Sequence, residues 1–150
     1  SHTMNGKNVY VKINDIICPE LFINALTAAY EGKPIYLLTG DKGLCEWLHK
    51  MNANIPTVAV SEGMGGASLS INPHLAVKRI REAAEKALSI DPKKLMFPMP
   101  DHFRVEIAFR NHTYTNNGSH YPGCVQLDST RVAFESNDYM DVLKFFYWVL

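Results

Sequence analysis

Apolar and polar residues alternate through residues 8–13, Asn-Val-Tyr-Val-Lys-Ile, at the two-residue period of a strand. Asn14 and Asp15 then turn the chain, and residues 19–31 switch to a helical pattern. Glu20, Asn24, Thr27 and Glu31 recur at steps of four, three and four, while Leu21, Phe22, Ile23, Ala25, Leu26, Ala28 and Ala29 fill the other positions. A helix apolar around most of its circumference belongs inside a protein. Its one polar line must find solvent, a charge partner or a metal. Pro19 suits the first helical position and Gly32 the C-cap. An apolar run at residues 34–39, an amphipathic helix near 42–50 and an apolar strand at 57–60 follow. A β-α-β-α-β succession at such short spacing predicts an α/β portion with a mainly parallel sheet.

Residues 61–70 are Gly-rich and read as a loop, after which Asn72 and Pro73 open the clearest helix, at 72–89. Its stripe of Ala76, Ile80, Ala83, Ala84 and Ala87 faces inward and its charged residues outward, as scaffold. The proline-punctuated connector at 92–100 offers a weak internal boundary near 91–101. Beyond it the pattern becomes α+β. Phe103, Val105, Ile107 and Phe109 alternate with Arg104, Glu106, Ala108 and Arg110 as a strand solvated on one face, and residues 124–127 and 131–135 form an antiparallel hairpin. Residues 111–121 read as a polar loop, and the C-terminal helix at 137–150 carries Phe145, Phe146, Tyr147 and Trp148 with no cap. On this pattern the chain ends before its fold does.

Composition narrows the partners. Lys plus Arg and Asp plus Glu number 15 each, so no net field draws nucleic acid or a membrane surface. Three cysteines without CxxC spacing imply reduced thiols, and with no signal peptide or long apolar span the expected setting is cytoplasmic.

Glu20 is the leading candidate for chemistry. A first-turn carboxylate gains about 0.3–1 kcal/mol from the helix dipole, which explains its presence without any catalytic role; the other reading is a metal ligand or general base, with Asn24 one turn away to orient it. Ser1-His2-Thr3-Met4 has the look of a vector scar, and it also supplies a histidine. No His-x-x-x-His spacing exists, and the other histidines, His49, His74, His102, His112 and His120, read as surface residues. The Gly-rich stretch lacks the Lys-Ser/Thr ending of a phosphate loop, so a small nucleotide binder is disfavoured. Nothing assembles a Ser/His/Asp or Cys/His set.

Ile13-Asn14-Asp15, Pro19-Glu20-Leu21, Asn24-Ala25 and Gly40-Asp41 resemble the DppA-type D-aminopeptidases, a family of zinc peptidases. The likeness runs on through Thr57-Val58-Ala59-Val60, Asn72-Pro73, Val105-Glu106-Ile107-Ala108-Phe109 and Pro122-Gly123, in order along essentially the whole chain. It departs at Pro19, where the family commonly has Gly, and at Ser61, where it has Lys.

What the resemblance implies is a metal-dependent aminopeptidase that releases N-terminal, including D-configured, residues from short peptides. Glu20 takes the place of a zinc ligand, His2 that of a histidine implicated in catalysis, and Asn24 that of a supporting group. The family's Asp-x-Glu pair and two further histidine ligands are not in these residues, which makes residues 1–150 a C-terminal portion whose other ligands lie on a missing N-terminal half. Catalytic zinc takes about three protein ligands, so this portion alone should be inactive and nearly metal-free. The alternative is a noncatalytic oligomerisation domain, whose exposed Phe145, Phe146 and Trp148 would build the homo-oligomer, a decameric ring in the family's manner.

Overall fold

A computed structural model describes residues 3–150. The chain is mixed α/β with eight strands in two sheets and five helices among those residues. It divides into two compact units, one comprising the chain up to Tyr30 together with Met99–Leu150, the other Glu31–Pro98.

In the first unit, β1 (Asn8–Ile13) joins β2 (Ile16–Ile17), β6 (Phe103–Phe109), β7 (Val125–Gln126) and β8 (Arg131–Ser136) in a sheet of order β2-β1-β6-β8-β7. Every pairing in it is antiparallel. The expected parallel placement of residues 8–13 is therefore wrong. Val11 and Ile13 are buried while Tyr10 and Lys12 are only partly so. Such one-sided alternation suits an antiparallel sheet better than a parallel one, whose strands are buried on both faces. The hairpin of β7 and β8 forms as expected. Asp128 closes it by accepting the Thr130 and Arg131 N–H groups at 2.8 and 2.9 Å.

Phe103, Val105, Ile107, Phe109, Val132 and Phe134 supply the buried side of this sheet. Two helices belong to the same core, α1 (Glu20–Tyr30) and α5 (Tyr139–Val149). Tyr139 links them, donating to the Ile23 carbonyl at 2.7 Å with its ring 5.3 Å from that of Phe103. Phe145 and Phe146 are 0% and 3% exposed, so the expectation that they form a surface fails. Phe145 stacks on Phe134 at 4.7 Å, because the helix turns these positions toward the sheet. Tyr147 and Trp148 do face solvent, at 79% and 73%.

Residues 111–121 are not an open loop. They hold α4 (His112–Ser119), capped by the Asn111 side chain on the Thr113 N–H at 2.8 Å. Thr, Asn and Gly are poor helix formers. Tertiary contact overrides their preference: a Cβ at Gly118 would stand 2.8 Å from Val149 Cγ1.

In the second unit, β3 (Leu38–Asp41) pairs in parallel with β4 (Thr57–Met64) through the crossover helix α2 (Lys42–Met51), the one parallel pairing among the described residues. Asp41 caps α2 by accepting the Leu44 N–H at 3.0 Å. The expected Gly-rich loop is instead a hairpin arm, in which β4 runs on to Met64 and pairs antiparallel with β5 (Ala67–Ser70). Gly65, at φ +59°, makes the turn, a conformation that L side chains rarely adopt. The helix predicted from residue 72 is α3 (Pro73–Ala87), of which Ala87 alone is buried. A 3₁₀ turn at Pro92–Leu95 follows, held by Asn52 Nδ2 on the Lys94 and Met96 carbonyls at 3.0 Å each.

Candidate active site

Pro19 follows the short β2 edge and Glu20 is the first residue of α1, so its carboxylate stands at the positive end of the helix dipole. The Glu20 carboxylate accepts the Met4 N–H at 3.1 Å. Met4 reaches it through a left-handed backbone, φ +62°, which costs a non-glycine residue about 1 kcal/mol and is held by the bonds around it. Thr3 donates to the Cys18 carbonyl, Asn8 Nδ2 donates to the Thr3 carbonyl at 3.1 Å, and Asn5 Oδ1 accepts the Lys7 N–H at 2.8 Å. The Arg110 N–H closes the loop on the Lys7 carbonyl at 2.9 Å.

This loop borders a cavity of about 520 Å³, lined among others by Thr3, Asn5, Asn8, Tyr10, Cys18 and Arg110. Cys18 is 1% exposed, and burial pushes its thiol up to about 12, which leaves it protonated and unfit as a nucleophile at neutral pH.

Asn24 stands exposed one turn beyond Glu20. His2 lies outside the described residues. Of the remaining histidines, His102 is tied at the surface to Asn137 Oδ1 at 2.7 Å and to Glu135 at 3.4 Å. Among the described residues no three His, Cys, Asp or Glu side chains converge as a metal site. Glu20 alone does not fit a catalytic zinc, which takes about three protein donors, and no step through a metal can be built from these residues.

The alternation at residues 103–109 conceals one buried charge. Glu106, expected on a solvated face, is 7% exposed. Tyr10 donates to its Oε1 at 2.6 Å, Arg131 Nη1 lies 3.4 Å from the same oxygen, and Lys12 is its cross-strand neighbour. The Tyr10 hydrogen bond, then the Arg131 cation, hold the Glu106 carboxyl below the usual carboxylate range, and the same bond raises the Tyr10 phenol. This trio has no spacing that singles it out, since its members lie far apart in sequence.

The sequence model of the peptidase M55 family, described as D-aminopeptidase, matches residues 1–148. The chain belongs to the D-aminopeptidase family. It is 25% identical over 146 residues to a D-aminopeptidase of Bacillus subtilis (strain 168), covering 96% of this chain and 53% of that protein. Its fold is similar, at a TM-score of 0.82 and 25% identity, to the solved Zn-dependent D-aminopeptidase DppA from Bacillus subtilis, described as a self-compartmentalizing protease. That likeness covers 99% of this chain and 57% of the other. The chain thus spans about half the length of these relatives.

Proposed function

We propose that this chain is the C-terminal portion of a zinc-dependent aminopeptidase that releases N-terminal residues, D-configured ones included, from short peptides. The observation that carries the reading is the family match across nearly the whole chain, supported by a fold shared with a zinc-dependent member. Glu20 supplies one carboxylate donor to the metal, and the other donors lie on the half of the enzyme beyond these residues.

The remaining roles belong to the chain's own side chains. Residues one turn apart on a helix have neighbouring Cβ atoms, which lets Asn24 steady the Glu20 carboxylate. His2 is the proposed acid/base that moves a proton to the leaving amine. The polar loop over Thr3–Asn8 supplies the wall against which the peptide is oriented. Three cysteines without CxxC spacing support a cytoplasmic setting.

Incubating the zinc-loaded enzyme that contains this chain with D- and L-dipeptides tests the reading. Release of the N-terminal D-residue is expected; no release from any short peptide would overturn it.

A second reading concerns assembly. The similar solved protease is described as self-compartmentalizing, and the exposed pair Tyr147 and Trp148 offers apolar area near the end of α5, so we propose a homo-oligomer, of decameric ring form, that uses this patch.

A further inference from the structure

The arm formed by β4 and β5 outruns its sheet. Asp41, paired with Ser61, is the last residue of β3 in the ladder, so beyond Ser61 the arm consists of two strands only. A two-stranded hairpin is marginal in water by itself. Every residue from Glu62 to Ser70 is exposed, with Met64 at 61% and Leu69 at 62%. Glu62 pairs with Leu69 and Met64 with Ala67, which puts Met64, Ala67 and Leu69 on one face of the arm.

β5 is the last strand of its sheet, and among the described residues no strand lies on its outer side. The Ile71 N–H donates to the Val60 carbonyl at 3.0 Å, so in this register Ala67 and Leu69 bond inward to β4. Ser68 and Ser70 therefore turn their N–H and C=O groups outward. Asn72, next in that series, is already committed, because its carbonyl accepts the Ala76 N–H at 2.9 Å as α3 begins. The outer edge is thus a short ladder made by Ser68 and Ser70. Natural proteins blunt exposed edges with charges, proline or bulges, and β5 has none of these. From Gly63 to Val77 the sequence holds no Asp, Glu, Lys or Arg, in a chain that is 20% charged.

We infer that the outer edge of β5 pairs antiparallel with the same edge of a second copy of this chain, about a two-fold axis at Leu69. In that register Ser68 faces the partner's Ser70 and Ser70 faces the partner's Ser68, so every outward N–H and C=O of the ladder finds a counterpart. Leu69 meets the partner's Leu69 as a close pair, Cα atoms about 4.5 Å apart, and Ala67 meets the partner's Ile71 on the same face. The lack of charge selects this occupant. Residue 69 faces itself across the axis, so a charge there would meet its like, and an uncharged edge is the composition that self-pairing requires. The contact is independent of the assembly proposed at Trp148 and of the reaction at Glu20.

Sedimentation of the 150-residue chain from about 10 μM to about 1 mM, the range of weak interfaces, tests the pairing. Mass should rise with concentration, and Ser68→Pro should cut the particle at the top of the range to about half, whether or not Trp148 adds a further contact. The Ser68 N–H points away from β4, so proline removes a donor from the partner's side alone, and circular dichroism verifies the fold. Leu69→Lys keeps every N–H and sets like charges at the axis; it should halve the mass as well, and it decides the matter if Ser68→Pro unfolds. On mild oxidation Leu69→Cys should give a disulfide-linked dimer, while Met64→Cys, on the strand remote from the axis, should not. A chain that stays monomeric throughout, a mass unchanged in Leu69→Lys, or a disulfide at residue 69 no faster than one at residue 64 would each overturn the pairing.

Discussion

The carboxylate of Glu20 holds the backbone N–H of Met4 at 3.1 Å, which joins the first turn of α1 to a residue sixteen positions earlier in the chain. One oxygen is thereby engaged, and a metal at Glu20 would compete with that bond. With about three protein ligands needed and one carboxylate at hand, the isolated chain should bind zinc weakly, with a dissociation constant above the micromolar range. Zinc titration followed by a competing chromophoric chelator measures this. Tight one-to-one binding by the isolated chain would contradict the assignment of the other ligands elsewhere.

Gly118 sits where α4 meets the end of α5. A Cβ there would lie 2.8 Å from Val149 Cγ1, and a β-branched side chain in a helix has little rotamer freedom to yield. Gly118→Ala should therefore destabilise by about 1–3 kcal/mol, against the usual gain of Ala over Gly inside a helix. Chemical denaturation gives the difference, and a stabilised variant would show that the contact is loose.

Acid should strip stability at Glu106. Its folded pKa is depressed below the model-compound value of 4.5, first by the Tyr10 hydrogen bond, so its contribution is fully present above that value and is lost as pH falls through the lower folded pKa. Glu106→Gln should remove this acid-side slope below about pH 4.5 while costing stability at pH 7, because a neutral amide pairs less well with Arg131. Denaturation curves at pH 7 and at pH 3 for both proteins decide it. Equal losses on acidification would place the acid sensitivity elsewhere.

The thiols should differ in reactivity. Cys18 and Cys45 are buried and Cys124 is partly open, and burial raises all three thiol pKa values, that of Cys18 to about 12. At pH 8 a disulfide reagent should label Cys124 first, with the other two reacting at the rate of local opening. Prompt labelling of Cys18 would mean that the turn leading to Glu20 is open in solution.

Assembly should depend on Trp148 and not on Phe146. Sedimentation of Trp148→Asp should show a smaller particle with an unchanged far-ultraviolet spectrum, whereas Phe146→Asp, at a position 3% exposed, should unfold the unit. An unchanged mass for Trp148→Asp would remove the patch from the interface.

Periodicity alone carried much of the fold. The alternation at residues 8–13 and 103–109, the cap at Asn72 and the hairpin over residues 124–135 are local signals, and each appears as an element in the structure. Which strands pair is a non-local choice. Residues 8–13 cross to residues 103–109 over the whole intervening unit, and nothing in the strand itself names that partner. α4 was hidden because its residues favour loops and only the close approach of Gly118 to Val149 and Phe109 holds it. Phe145 and Phe146 are apolar whether they face a partner or a core, and the helical phase that buries them is set by the sheet beneath. Glu20 was legible through its polar line, whereas Tyr10, Glu106 and Arg131 gain meaning only when the fold brings them together.

The most direct test of the central claim is D-dipeptide hydrolysis by the zinc-loaded enzyme that contains this chain, with and without Glu20→Gln, alongside zinc content and melting temperature. The proposed function predicts release of the N-terminal D-residue, and a fall of about 100-fold or more with reduced zinc in Glu20→Gln at an unchanged melting temperature. Full activity and full zinc content in Glu20→Gln would contradict it.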